Sequence, residues 1–375
     1  MSRAAAWAEH LRDGGTTPWS DFDGNTATEP DWLPGAQQLE LLRRVNLVAP
    51  ASPALTERIL TAPLPFRGRP DLDLATTGGS GQPDAGAPTV DPAALSDDEL
   101  VRVAVAVLAE ATVTRPTPPL PVTGPGRLRR LARRLRHTPV RIAGDPVRAA
   151  ALRAELTDCG RPLGDGGPVV VVAGPIDRML ADAWWHRVVH HGAPPWPQWL
   201  DSLVARDRVP PSIDLPGVAS RWETLRPGRV VIACDLPSAA RVAGLPKAPV
   251  DPVVEGTRAE LERRIGSLLA VTCVPAERTR LLRAGVLPLG VRPDEPVTLA
   301  LTPAAHAWAS EQATRMVSSL RAGGYPVEGD LADLEPVAPP RDRPGRLISE
   351  GLIPLAIAAL HASTSLESTP NGGAQ

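Results

Sequence analysis

Residues 169–191 read VVVVAGPIDRMLADAWWHRVVHH, and this stretch decides the fold. Val169–Ala173 is four β-branched valines and an alanine with no polar alternation, as expected of a strand covered on both faces. Gly174-Pro175 breaks it, and Asp177–His191 continues with helical spacing of apolar residues. Working outward, the same strand–loop–helix order recurs twice. Val140–Ala143 leads through Gly144-Asp145-Pro146 into a helix over Val147–Leu156. Val230–Cys234 leads through Asp235-Leu236-Pro237 into a short helix. Repeated units of this kind predict right-handed crossovers and a small parallel sheet flanked by helices, an α/β fold. Ligands of such sheets bind beyond the carboxyl ends of the strands, so the loops at Gly144-Asp145-Pro146 and Gly174-Pro175 are where function is sought.

Before the sheet, residues 1–113 read as a helical N-terminal region. Ala36–Val48 puts Leu39, Leu42 and Val45 on one stripe. Ser52-Pro53 offers an N-cap hydroxyl with proline in the first turn, and Ser96-Asp97-Asp98-Glu99 is a capping box before Leu100–Ala111. Thr76–Pro92 has linker composition. Residues 114–137 form a proline-rich linker and a basic helix, 138–337 the α/β domain, and 338–375 a C-terminal helix with a disordered tail.

Composition excludes several chemistries. Lys247 is the only lysine, and its Pro-Lys-Ala-Pro setting is no phosphate-binding GxxxxGK[ST] loop. The three cysteines, Cys159, Cys234 and Cys273, have neither zinc spacing nor an even count, and read as free thiols. The opening residues read as a charged amphipathic helix rather than a signal peptide. The apolar run Leu347–Leu360 is too short for a membrane span, so a cytoplasmic protein is expected. Neither GxSxG nor a GxGxxG after a strand is present.

One run carries concentrated positive charge, Arg127–Arg136 (RLRRLARRLR), in a chain of formal net charge −2. It offers a docking surface for an anionic ligand or an acidic partner, or a solvated helix face. The overall charge and the absence of a reader motif argue against a dedicated nucleic-acid binder. Asp182, His186 and His190 fall at i, i+4 and i+8 of one helix, a spacing that presents a metal-ligand set or a polar face. Five tryptophans lie between Trp184 and Trp222. They can line an acceptor cleft or fill the helix–sheet interface.

Residues 304–336, AAHAWASEQATRMVSSLRAGGYPVEGDLADLEP, combine a helix around Trp308, a Gly-Gly-Tyr turn and a Gly-Asp-Leu segment. With Val140–Ala143, Val169–Ala173, Trp184-Trp185, Asp214-Leu215-Pro216, Arg221-Trp222, Val230–Cys234 and Glu260–Ile265 before it, this order resembles the sulfotransferase-like family of high-GC actinobacteria, over roughly 138–336. The resemblance implies a sulfotransferase fold and the cofactor 3′-phosphoadenosine-5′-phosphosulfate, with a glycan or lipid hydroxyl as acceptor. It also implies a Gly/Ser/Thr-rich phosphate loop whose N–H groups and lysine hold the phosphosulfate. At that place stands Gly144-Asp145-Pro146-Val147-Arg148, a degenerate phosphate loop. Asp145 brings like charge, Pro146 lacks a donor, and Arg148 is the one cation. The family's 3′-phosphate arginine, aspartate and serine fall near Gly174, Pro175 and Asp182, with Arg178 one turn on as a substitute. Gly144, Asp145, Arg148 and Arg178 are therefore the candidate cofactor-binding residues, and His186 and His190 the candidate bases. The favoured expectation is a sulfotransferase-like protein with a degenerate nucleotide site, no cofactor, and a binding or accessory role. The alternatives are an active sulfotransferase and an interaction protein docking through Arg127–Arg136.

Overall fold

The computed structural model describes residues 3–23, 35–63, 73–74, 89–114, 138–287, 291–293, 296–337 and 348–367. The chain forms two compact units. One comprises residues 1–116, 256–297 and 346–375, the other residues 117–255 and 298–345.

In chain order the helical unit begins with α1 (Arg3–Arg12), α2 (Ala36–Val48), α3 (Pro53–Leu60), a two-residue parallel pairing of β1 (Asp73–Leu74) with β2 (Thr89–Val90), and α4 (Asp97–Thr114). The α/β unit follows as β3 (Arg141–Gly144), α5 (Pro146–Asp158), β4 (Val169–Val172), α6 (Ile176–His190), α7 (Trp196–Arg206), α8 (Leu215–Leu225), β5 (Val230–Ala233) and α9 (Leu236–Val242). The helical unit resumes with α10 (Gly256–Thr272) and α11 (Pro275–Ala284). The α/β unit is completed by α12 (Pro303–Ala322) and β6 (Val327–Glu328), and the helical unit by α13 (Ile348–Glu367).

Helix α3 starts as its sequence predicts: the Ser52 hydroxyl accepts the Leu55 N–H, with Pro53 in the first turn. Helix α4 is buried on nearly every side, from Leu100 to Ala109, because α2, α10 and α13 all pack on it. That packing moves the boundaries read from the sequence. Residues 256–297, expected in the α/β domain, belong with the N-terminal helices, as does the C-terminal helix. Helix α10 presents Leu261, Ile265 and Leu269 as a buried stripe, and Arg264 on it pairs with Asp98 at the start of α4 (2.7 Å). Thr89–Val90, inside the expected linker, pair as β2. The basic run 127–136 and the tail 368–375 lie outside the described residues.

The main sheet is four-stranded and parallel, in the order β3-β4-β5-β6. Every side chain of β4 is buried, so both sheet faces are covered. Val170 and Val172 join Ile142, Leu152 and Leu156 in one core with Leu236, Ala239 and Ala240 of α9, while α8 lies along β3, β4 and β5. Trp184 is wholly buried, its ring 5.8 Å from that of Trp196 and edge-on to it. Trp196 and Trp199 are 4 % and 6 % exposed, and the Trp196 indole donates to the Ala300 carbonyl (3.0 Å). These three rings therefore fill the core and do not line an acceptor cleft.

Candidate functional site

At the carboxyl edge of the sheet a cleft of about 430 Å³ opens in the α/β unit. Its walls come from the loops after three strands: Pro175 after β4, Cys234-Asp235-Leu236-Pro237 after β5, and the segment around Ala332, Asp333, Glu335 and Val337 after β6. Arg148, Arg178 and Asp251 complete it. The first turns of α5 and α6 supply the two arginines, which is where a parallel sheet places ligand-facing groups.

The turn out of β3 sets the geometry beneath the cleft. Gly144 has φ +93°, and a Cβ there would overlap the backbone of Val172, so no other residue fits. The turn drives Asp145 fully into the interior (0 % exposed). Its Oδ1 accepts the N–H groups of Val147 and Arg148, both at 3.0 Å, capping α5. Those are the donors that a phosphate would take at a helix N-terminus. Asp145 takes both of them as the N-cap of α5.

Asp182, on the buried face of α6 and 3 % exposed, meets Asp145. The Oδ2 atoms of both carboxyls are buried and have no donor from elsewhere among the described residues. Two ionised carboxylates would leave both atoms unsatisfied, whereas a proton on Asp182 donated to Asp145 satisfies the pair. Burial, and then the charge of Asp145 and its hydrogen bond, push the Asp182 carboxyl up to about 9. Burial likewise raises the Asp145 carboxyl, against the backbone N–H of Arg148 and the Arg148 charge.

Arg148 is 3 % exposed. Its Nε and Nη2 donate to the two oxygens of Asp251 (3.0 and 3.2 Å) and its Nη1 to the Ala173 carbonyl (3.2 Å). Gly174 makes room for it, since a Cβ there would fall on the guanidinium. Burial works against the charge of Arg148, but the Asp251 hydrogen bond and the charges of Asp145, Asp251 and Asp182 outweigh it and raise its pKa. Arg178 Nη1 reaches Asp251 Oδ2 (2.9 Å), and its Nη2 donates to the Pro252 carbonyl (3.0 Å). Across the cleft, burial pushes the Cys234 thiol up to about 12, with Asp333, Asp235 and Asp330 adding to the effect.

Of the candidate cofactor-binding residues, the fold brings Arg148 and Arg178 to one cleft, while Gly144 and Asp145 form the turn beneath it and are not on its lining. It does not bring His186 or His190 to them, and neither histidine lines the cleft. Arg178 is in the first turn of α6, and at 1.5 Å per residue the two histidines lie about 12 and 18 Å farther along its axis. Their rings lie against each other instead, centroids 4.3 Å apart and planes tilted by 37°. The spacing of Asp182, His186 and His190 does not become a ligand set either. Among the described residues no three His, Cys, Asp or Glu side chains form a group that could hold a metal ion, because Asp182 turns inward to Asp145. No described helix is long and apolar enough to cross a membrane. One participant, Asp251, and one pairing, that of Asp182 with Asp145, escape sequence reasoning. Asp251 sits in an irregular proline-flanked segment, and the partner of Asp182 is 37 residues away in the chain. Only the improbability of an aspartate amid the apolar positions of α6 hints at the second.

Fold and site define a class: an α/β protein whose parallel sheet opens a polar cleft at its carboxyl edge, floored by internally compensated charges. Beyond that class, no protein-family model, no curated protein and no solved structure matches the chain.

Proposed function

We propose that this chain is a cytoplasmic, sulfotransferase-like protein whose nucleotide site is retired, and that it works by binding at its cleft rather than by transferring a sulfuryl group. The observation that carries this reading is Asp145. The N–H groups at the start of α5, which in the family's loop would hold the phosphosulfate, here donate to a buried carboxylate of the chain itself. The two cations that could replace the family's lysine and arginine are both engaged by Asp251. A nucleotide with several phosphate charges would also face Asp235, Asp333 and Glu335 on the opposite wall.

The test is calorimetric titration of the full chain with adenosine 3′,5′-bisphosphate, the product nucleotide of sulfuryl transfer. We expect no heat at millimolar ligand from protein shown to be folded. Micromolar binding that disappears in Arg148→Ala and Arg178→Ala would overturn the reading. A second reading, an active sulfotransferase using 3′-phosphoadenosine-5′-phosphosulfate on a glycan or lipid hydroxyl, is favoured by one observation: Arg148 and Arg178 converge on a single cleft. It requires Asp251 to leave them, and the same titration decides it.

A further inference from the structure

Arg148 and Arg178 reach from the first turns of two helices to the same two carboxylate oxygens, at 2.9–3.2 Å. A planar guanidinium fork matches a planar two-oxygen anion, and pairs of this kind supply directional, charge-assisted hydrogen bonds. Arg148 has supports besides Asp251: the bond to the Ala173 carbonyl and the space over Gly174. Its guanidinium is therefore held in place for a carboxylate in advance.

The carboxylate now in place belongs to an irregular segment between α9 and α10. Residues 249–255 carry neither helix nor strand. Val250 and Val253, on either side of Asp251, are 91 % and 67 % exposed. Asp251 is held by its bonds from the two arginines, and Pro252 beside it by the bond from Arg178 Nη2 to its carbonyl. The contact is a short peptide strap laying one acidic side chain into a pre-shaped arginine site.

Charge defines what else fits there. Arg148 and Arg178 contribute two positive charges. Asp251 contributes one negative charge, and the Asp145–Asp182 pair, sharing one proton, contributes another. The group is neutral as it stands. Release of Asp251 leaves one positive charge in a partly desolvated place, which a single carboxylate restores to neutrality. A phosphate or sulfate dianion would overcharge it, and Asp235, Asp333 and Glu335 in the same lining repel a dianion more than a monoanion.

We propose that the Arg148–Arg178 pair is a binding site for a ligand bearing a single carboxylate, and that Asp251 is an internal mimic of that ligand which yields the site when it arrives. The proposal rests on the reading of the cleft as a binding site and names its ligand class.

Chemical rescue of the full chain tests it. Asp251→Ala vacates the arginines, and Asp251→Asn keeps the shape without the charge. Thermal midpoints are measured by tryptophan fluorescence in sodium acetate, chloride and sulfate at matched ionic strength near neutral pH. Each is read as the variant's gain over wild type, so that general salt effects cancel. Acetate should raise the variants' midpoints by several degrees beyond chloride, sulfate should not, and Arg148→Gln in the Asp251→Ala background should abolish the gain. An acetate effect no larger than that of chloride, or an equal effect of sulfate, overturns the proposal.

The unaltered protein supplies a second measurement. Lys247 is exposed, four residues before Asp251, and is the only lysine in the chain, so a lysine-specific protease cuts at one place beside the strap. Acetate that displaces Asp251 should speed that cleavage severalfold over chloride at equal ionic strength. An unchanged rate sinks the idea even where the variants fail to fold. If the bisphosphate nucleotide binds tightly, the functional reading falls. If neither nucleotide nor acetate acts, only the ligand assignment falls.

Discussion

Asp182→Asn should make the α/β unit more stable at neutral pH, an uncommon sign for a substitution at a buried polar residue. Burial and the neighbouring Asp145 push the Asp182 carboxyl up to about 9, from an ordinary value of 3.8. Between those values the folded chain holds a proton that the unfolded chain releases. Stability contributed by this group is therefore full in acid, falls as pH rises through that window, and levels off above about 9. At ~1.4 kcal/mol per pH unit, the loss between pH 4 and pH 7 approaches ~4 kcal/mol, and relaxation around the pair brings a working figure closer to ~2 kcal/mol. Asparagine has nearly the same shape, donates from its amide to Asp145, and has no proton to lose. The variant should match wild type near pH 4 and exceed it by about 2–4 kcal/mol at pH 7. Urea unfolding across this range, followed by tryptophan fluorescence, measures it, since Trp184, Trp185, Trp196, Trp199, Trp222 and Trp308 all lie in this unit. A pH slope equal to that of wild type, or a loss of stability at pH 7, would refute the shared-proton account.

Two further substitutions probe the frame around the site. Gly144→Ala forces a Cβ into the Val172 backbone at φ +93°, and should cost ~3 kcal/mol or more, seen as a large fall in the thermal midpoint. Asp207→Ala removes the acceptor that gathers Trp308 Nε1, Gln312 Nε2 and Arg315 Nη2 at 3.0, 2.6 and 2.7 Å. The Trp308 and Arg315 bonds hold the Asp207 carboxyl below its ordinary range. Its contribution is thus present above that range and lost as pH falls through the lowered value. The variant's deficit in thermal midpoint should be full at neutral pH and vanish in strong acid. Asp207→Gly should be milder than the alanine change, because the residue sits at φ 46°.

What the sequence made legible is what local physics fixes. The valine run of β4 and the strand at Val230 need two apolar faces and find them. Pro53 after Ser52 announces a helix start, and α3 begins there; α5 begins at Pro146, one residue before the Val147 read from the sequence. The loops that lead to the cleft were legible because they follow strand ends, whereas Arg148 and Arg178 were named through the family resemblance. The rest depended on long-range choices. Nothing local says that α10, whose stripe suits any helical neighbour, packs on α4 instead of on the sheet. The polar stripe of Asp182, His186 and His190 looked continuous because helical spacing is blind to the residue across the interface. Once Asp145 supplies a partner, Asp182 belongs to the core. Asp251 carried no signal of its own, since an aspartate between valine and proline reads as any loop residue does.

The helical unit is assembled from three separated lengths of chain, with α4 enclosed by α10 and α13. A ribosome delivers those lengths far apart in time. At about 5–20 residues per second, the interval between completing Thr114 and beginning Ile348 is on the order of 10–50 s. Until α10 emerges only α2 and α3 are present to cover α4, and the face that α13 takes stays open throughout. The nascent chain thus carries a partly uncovered apolar helix for most of its synthesis, which makes its yield in the cell sensitive to chaperone supply and to translation speed.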